Sequence, residues 1–335
     1  MVQAQGAAAA VNATAVAVVG EALIDLIPVG GSGGRTDVQD LYQGVPGGSP
    51  ANVAVGLARL GVPTRMAARV SGDPPGRITR RRLADAGVDL RGVVAAAEPS
   101  SVALVSHGDH GPHYDLRLHG TADWQWTEAE LQRLDPGSLA ALHVGSLAAV
   151  LPPGAHEIAA LVRRVRRTAT ITYDPNVRPE HMAAVPDARG RINALMGLAD
   201  VVKLSDADLA WLAPGTDPVA FARHQVSAGA AICVVTSGAA GAVAACAAGA
   251  VEVPAVPVEV VDTVGAGDAY MSALLAGLHD RHLLGAAARA DLRTLASDTL
   301  ATVLADAALA AAITCGRRGS DPPTRAELTA PAAVR

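Results

Sequence analysis

The stretch from Asp262 to Leu278, Asp-Thr-Val-Gly-Ala-Gly-Asp-Ala-Tyr-Met-Ser-Ala-Leu-Leu-Ala-Gly-Leu, limits the folds open to this chain more than any other. Before it, Val256, Val258 and Val260 alternate with Pro257, Glu259 and Val261, a period that predicts a short strand over 256–261. After it, Met271, Leu274, Leu275 and Leu278 recur at the spacing of a packed helix face. Strand, glycine turn and buried helix together make one step of an α/β fold. Gly265 and Gly267, with only Ala266 between them, leave the backbone bare. A ligand oxygen can therefore approach the amides of Gly265, Ala266 and Gly267 at the positive end of the helix dipole. A carboxylate at Asp268 would repel a phosphate held there, unless its task is to take a proton from an alcohol attacking that phosphate. A plain turn with Asp268 as helix N-cap accounts for the same residues. A dinucleotide-binding loop fits less well, because Tyr270 stands where its third glycine is needed.

With 335 residues, half of them hydrophobic, the chain can fill one large α/β domain or two modest ones. Aromatics are 2% and Phe occurs once, so the core must be built from Ala, Val and Leu. A net charge of −5 argues against a general nucleic-acid binder and leaves room for a local basic pocket. Cys233, Cys246 and Cys315 form no CxxC pair, which suggests neither a disulfide framework nor a zinc site. The first fifteen residues lack the basic start of a signal peptide, and no uncharged apolar run has convincing membrane-spanning length. The expectation is a soluble cytoplasmic protein without membrane or nucleic-acid partners.

Residues 1–14 read as a disordered extension, and Val16–Val19 as a buried parallel strand ending at Gly20. Asp25 lies among apolar neighbours, either on a solvated strand face or employed in a site. A flexible turn over Gly30–Gly34 and a short strand over Val38–Val45 lead to Gly47-Gly48-Ser49-Pro50. Ser49 as N-cap, Pro50 at the first helical position and Gly61 past the end delimit a helix. Asn52, in its first turn, either faces the Gly47-Gly48 turn or merely serves the cap. Thr64–Val70 predicts a strand and Pro75–Ala86 a helix whose Arg80-Arg81-Arg82 run faces solvent.

Two alternating runs, 101–106 and 113–118, form a hairpin that could join 38–45 in a small β flap. His107, His110, His113 and His119 sit at spacings that do not converge on a metal. Thr127-x-x-Glu130 opens a helix with a capping box. The strand Thr170–Tyr173 runs into Asp174-Pro175-Asn176-Val177-Arg178, polar side chains at a carboxyl end, where open α/β sheets bind ligands. Lys203 precedes Ser205-x-x-Asp208, a pattern that capping alone would explain, and Ile232–Val235 leads into Ser237-Gly238-x-x-Gly241. The chain is helical from Asp291 to about Ile313, and 316–335 reads as a Pro- and Arg-bearing tail. The whole predicts one doubly wound, mostly parallel sheet with a β flap.

In this order the motifs resemble the ribokinase-like, or PfkB, carbohydrate kinases, and among them the bacterial fructokinases. The similarity runs from about Ala15 to Leu328, leaving 329–335 as tail, and rests most heavily on Gly47–Gly61 and Asp262–Leu278. The resemblance implies lid segments at about 36–46 and 101–120, with Asp268 as catalytic base and Gly265, Ala266 and Gly267 as anion hole. It further implies sugar contacts from Asp25, Gly47, Gly48 and Asn52, with Arg178 near the phosphate-accepting end. Nucleotide contacts would come from Lys203, Ser205, Asp208, Ser237, Gly238 and Gly241, with Asp208 also in the Mg²⁺ shell. ATP and Mg²⁺ are the implied cofactors, K⁺ is a candidate activator, and a small sugar or sugar-like alcohol is the implied partner. Ser205 and Asp208 stand where the family often has Asn and Glu, and Pro323 replaces a hydroxyl ligand of the ribokinase cation loop. Other acceptors share this chemistry: ketodeoxygluconate, ribose, a nucleoside, an aminosugar or a cyclitol. A non-catalytic sugar-binding regulator could use the same fold. Pairing of two exposed lids would give a homodimer.

Overall fold

The computed structural model describes residues 15–28, 42–108 and 111–330. The expected extension, the Gly30–Gly34 turn, residues 38–41 and residues 331–335 lie outside them. Within them run β1 (Ala15–Val19), β2 (Leu23–Pro28), β3 (Tyr42–Gly47), β4 (Thr64–Ala67), β5 (Arg69–Ser71), β6 (Val94–Ala96), β7 (Val102–Gly108) and β8 (Gly111–Arg117). They are followed by β9 (Leu139–Gly145), β10 (Thr170–Asp174), β11 (Val201–Ser205), β12 (Ile232–Thr236), β13 (Ala242–Cys246) and β14 (Gly249–Val253).

The main sheet has eight strands in the order β14-β13-β12-β11-β10-β9-β1-β4. From β12 to β4 all neighbours are parallel, and β13 and β14 close one edge as an antiparallel hairpin. Its centre is apolar on both faces because it is covered on both. In β1, Val16 and Val18 join one core while Ala17 and Val19 join the other. The helices Ser49–Arg59, Pro74–Asp85, Ala266–Asp280 and Ser297–Cys315 cover the first face, and Ala155–Val165, Ala188–Met196 and Pro218–Ser227 the second. β4 lies on one side of β1 and β9 on the other, so the chain changes direction there. Loops diverge at such a point, opening a crevice at the carboxyl ends of the strands.

The Ala266–Asp280 helix is buried from Asp268 to Leu278, not along one stripe. It is held between Ser49–Arg59 and Ser297–Cys315, and small residues let them approach. A Cβ on Gly56 would strike Ser272, and one on Gly277 would lie 2.9 Å from Val303. Ser297–Cys315 is long and apolar enough to cross a membrane by length and composition. Here Leu300, Val303, Leu304, Ala307 and Ala310 are spent on the core.

The second sheet runs β3-β2-β7-β8 and forms the expected flap, with β2, the strand carrying Asp25, in its interior. Its attachment to the body combines buried apolar side chains, Leu23, Ile24 and Ala103, with a polar tie. The buried Asp123 carboxylate accepts Ala22 N at 2.8 Å and Ser101 Oγ at 2.5 Å, fixing the residues just before β2 and β7.

Three expectations are corrected. Residues 256–261 form no strand: Pro254 and Pro257 lack a donor, β14 already ends the sheet, and Val258, Val260 and Val261 are exposed. The expected strand 64–70 breaks at Ala68 into β4, in the main sheet, and β5, which pairs with β6. The segment after Gly316 is no loose tail up to 330. Thr324 and Glu327 cap a helix at Arg325–Thr329, Arg317 bonds Glu327, and Arg59 and Arg317 both reach Asp321.

Candidate active site

A cavity of about 320 Å³ opens at the carboxyl ends of the central strands, beneath the smaller sheet. Of the residues singled out from sequence, Asp25, Gly48, Asn52, Arg178, Lys203, Gly265, Gly267 and Asp268 line it.

The Ala266–Asp280 helix starts from Gly265, whose φ of 79° is left-handed and whose missing Cβ makes room for the Ser320 hydroxyl. Asp268 is therefore not the cap but lies inside the first turn, 8% exposed. Its carboxylate accepts Ser49 Oγ at 2.7 Å and Asn52 Nδ2 at 2.9 Å. Ser49, expected as the N-cap of its helix, makes no capping bond; Gly48 holds that position, and the hydroxyl is spent on Asp268 instead. Ala266 N donates to Thr263 O, just before the helix, at 3.3 Å, and the first amides of an α-helix have no acceptor one turn back in the helix itself. Negative charge is stabilised at such a terminus.

Lys203 reaches the same spot from below. In β11, Val202 and Leu204 enter the core on one face, which turns Lys203 toward the opposite one, under the Ala266–Asp280 helix. A Cβ on Gly267 would lie 3.0 Å from its Nζ. Lys203 Nζ donates to Asp174 Oδ2 at 2.9 Å, and both side chains are almost wholly buried. Burial pushes the Asp174 carboxyl up to about 6, with the Lys203 ammonium opposing the rise. The pair thus keeps a cation beneath the turn at neutral pH. Asn176 and Ser146, which also line the cavity, have positive φ of 38° and 57°. Asparagine tolerates that region; serine there is backbone strain at the mouth of the site. Arg178 Nη1 donates to Asn176 Oδ1 at 2.7 Å.

On the other side, the glycine pair is a matter of close approach. A Cβ on Gly47 would strike the Asp25 carboxylate, and one on Gly48 would lie 2.6 Å from the Glu21 carbonyl oxygen. Among the described residues no hydrogen bond reaches the Asp25 carboxylate. Desolvation raises it to about 6, against the attraction of Arg82 and Arg178 and with the repulsion of Asp268. Glu21, 2% exposed, rises to about 7 because burial outweighs the bonds it accepts from Ser146 and the Ala148 amide.

The remaining candidates lie outside the cavity lining. Asp208 caps the Asp206–Leu212 helix with Ser205, and its two oxygens accept Val177 N at 2.7 Å and Ser205 N at 2.8 Å. Ser237, Gly238 and Gly241 form the loop after β12, the next strand along, with φ of 50° and 92° at the two glycines. Among the described residues no group of three or more His, Cys, Asp or Glu could cage a metal. Asp262 ties two loops together, accepting Val264 N at 3.0 Å and Gly319 N at 2.8 Å.

Residues 13–327 match the description pfkB family carbohydrate kinase. The chain belongs to that family. It is 34% identical over 265 residues to a fructokinase of Rhizobium leguminosarum bv. trifolii, covering 79% of this chain and 80% of that one. The fructokinase of Xylella fastidiosa with bound ATP superposes with a TM-score of 0.84 at 26% identity, over 94% of this chain and 96% of its own. A fructokinase double mutant of Vibrio cholerae O395, solved with fructose, ADP and potassium ion, gives 0.75 at 27% identity, over 94% and 97%. The protein is thus a fructokinase-like sugar kinase with the ribokinase-like fold, a phosphotransferase.

Residue patterns alone missed Glu21, Ser49, Ser146 and Arg82. Glu21 and Ser146 follow β1 and β9, the two strands that flank the change of direction, so the strand order would have pointed to them. Ser49 looked like a cap because serine before proline usually is one. Arg82, expected on a solvated face, turns inward and bonds Asn52, Pro46 and Ser320. Nothing local in a run of three arginines distinguishes it.

Proposed function

We propose that this kinase transfers the γ-phosphoryl group of MgATP to a primary hydroxyl of a furanose-like sugar, most fittingly fructose, with Asp268 as general base. The observation that carries the reading is the meeting, at one cavity wall, of a carboxylate held by two donors and a bare helix-start turn over a buried ammonium. The acceptor hydroxyl attacks phosphorus as the bond to the β-phosphate oxygen breaks, and its proton passes to an Asp268 oxygen. A carboxylate is too weak a base to deprotonate an alcohol beforehand, so the proton moves as the bond to phosphorus forms. Most of the acceleration then comes from positioning and from the amides of Gly265, Ala266 and Gly267, together with Lys203, facing the transferred oxygens.

In this reading Asp25, Gly47, Gly48 and Asn52 hold sugar hydroxyls, and Arg178 lies toward the accepting end. A carboxylate desolvated and without a described partner, as Asp25 is, gains most from ligand hydroxyls. Ser205, Asp208, Ser237, Gly238 and Gly241 flank the nucleotide at the adjoining strand ends. A missing protein cage among the described residues fits a Mg²⁺ carried by phosphates and waters, with Asp208 touching its shell through water. The bound ion would neutralise charge on the β- and γ-phosphates. K⁺ would act at the loops that Asp262 ties together. The smaller sheet, as lid, excludes water that would otherwise take the phosphoryl group, which predicts ATP hydrolysis without sugar at a small fraction of the kinase rate. Two lids would pair in a homodimer, and the enzyme would act in the cytoplasm.

The test is ADP release over fructose, ribose, ketodeoxygluconate, nucleosides, aminosugars and cyclitols, with and without K⁺. Highest kcat/KM for fructose supports the reading; a clear preference for another acceptor would transfer the same mechanism to that alcohol and overturn fructose.

A further inference from the structure

Arg82 leaves the row of its neighbours. Arg80 and Arg81 are exposed on the Pro74–Asp85 helix, whereas the Arg82 guanidinium points between that helix, the end of β3 and the loop after Gly316. Nη1 donates to Pro46 O and, at 3.1 Å, to Asn52 Oδ1; Nη2 donates to Ser320 O. Burial works against its charge; Asp321, Asp268 and Asp25 favour that charge and Arg59 opposes it.

An amide side chain has an acceptor end and a donor end, and either could face Asp268. Only the nitrogen end helps a carboxylate; the oxygen end would repel it. Arginine carries donors and no acceptor, so the group that meets Arg82 must be Oδ1. That leaves Nδ2 for Asp268, at 2.9 Å. The same guanidinium holds the backbone of Ser320, whose side chain lies against Gly265 at the start of the turn. One half-buried cation thus reaches both the carboxylate, through Asn52, and the backbone beside the bare turn, without lining the cavity itself.

We propose that Arg82 is a positioning residue for phosphoryl transfer: it fixes the amide of Asn52 so that its nitrogen aims the Asp268 carboxylate. The inference rests on the reading of Asp268 as general base.

The experiment compares R82M, R82K, N52A, R82M/N52A and D268N, using MgATP and the acceptor of highest turnover in the panel above. Far-UV circular dichroism and thermal melting establish that each variant is folded. R82M is expected to lose about 10- to 100-fold in kcat, with KM for ATP changed less than about threefold, because what is lost is alignment and not nucleotide binding. R82K, still a donor-only cation, should recover most of that loss. The double variant should be no slower than N52A alone, since Arg82 acts through Asn52. Wild-type kcat in folded R82M, or losses for R82M and N52A that multiply, would overturn the proposal. If R82M does not fold, R82L, which likewise has no donor, takes its place in the same cycle, with the same two outcomes. D268N separates the two inferences: near-normal turnover there overturns the base itself, whereas a D268N loss beside an unaffected R82M overturns only Arg82.

Discussion

The two ends of the cavity are built differently. At the end proposed to take the phosphates the charges are already satisfied: Lys203 and Asp174 bond each other from neighbouring central strands, and Asp262 ties the glycine turn to the loop at Gly319. At the end proposed for the acceptor, Asp25 belongs to a strand of the smaller sheet, and among the described residues no hydrogen bond reaches its carboxylate. Groups that must act identically in every turnover are preorganised on the most rigid element, at a cost met by folding. Asp25, the group proposed to await ligand hydroxyls, sits desolvated on the smaller sheet, which the Asp123 carboxylate ties to the body. The ends should therefore fail in different ways when broken.

The largest effect is expected where the ends meet. D268N keeps the shape of the site but cannot take the proton, so kcat should fall by about 10²- to 10⁴-fold while acceptor and ATP still bind, as isothermal titration would show. Near-normal turnover would remove the base from the mechanism. K203M, at the phosphate end, should cost folding as well as catalysis, because it leaves Asp174 buried without its cation, a loss of about 3–5 kcal/mol in denaturant unfolding. Adding D174N should restore part of that stability but not the rate. If the single and double variants were equally unstable, Asp174 would not depend on the Lys203 ammonium for its burial.

A smaller effect, confined to binding, is expected at the acceptor end. D25N should raise KM for the sugar by about 10- to 100-fold, the value of one or two charge-assisted hydrogen bonds, and leave KM for ATP within about twofold. Equal changes in both constants would erase the distinction between the ends. G265A tests the turn: a methyl group must take a φ of 79° and displace the Ser320 hydroxyl, so a drop in kcat should accompany a stability loss of about 1–3 kcal/mol. A thermal melt beside the kinetics checks both parts.

How much of this could be seen in the sequence follows from the range of the forces involved. The helices and most central strands were legible, because apolar period and glycine or proline punctuation are local signals. So was the glycine turn at 265–267 opening a buried helix, although whether Asp268 caps that helix or faces a cavity was not. The strand expected at 256–261 shows the limit. Valines alternate there, but a strand needs a neighbour, and whether the sheet has an edge to offer is settled by partners distant in the chain. Ser49 and Arg82 show the same limit at the site. Each is locally ordinary, and each acquires its task only when residues far along the chain, Asp268 and Ser320, fold against it. The buried carboxylates were illegible for the same reason, since desolvation belongs to the fold and not to the residue.

Glu21 gives the finest test, because it lies on the boundary between the two ends, just after β1 and under the smaller sheet. Burial raises its carboxyl to about 7 from an ordinary 4.5, so the native state binds this proton more tightly than the unfolded chain does. Its contribution is therefore greatest below pH 4.5 and is lost as the pH rises to 7, where folding must strip the proton or bury the charge. A glutamine keeps the size and an acceptor for the Ala148 amide but does not titrate. The melting temperature of E21Q relative to the parent should thus climb steadily between pH 5 and pH 8, by at most the equivalent of about 3 kcal/mol. Asp25 and Asp174 rise in the same sense, but they are present in both proteins and largely cancel in the difference. Asp123, whose charge adds to the rise at Glu21, gives a second arm: in a D123N background the pH dependence should weaken but keep its sign. A difference that stays flat across this range would mean that Glu21 is solvated in solution, and that the acceptor end is more open than its buried carboxylates imply.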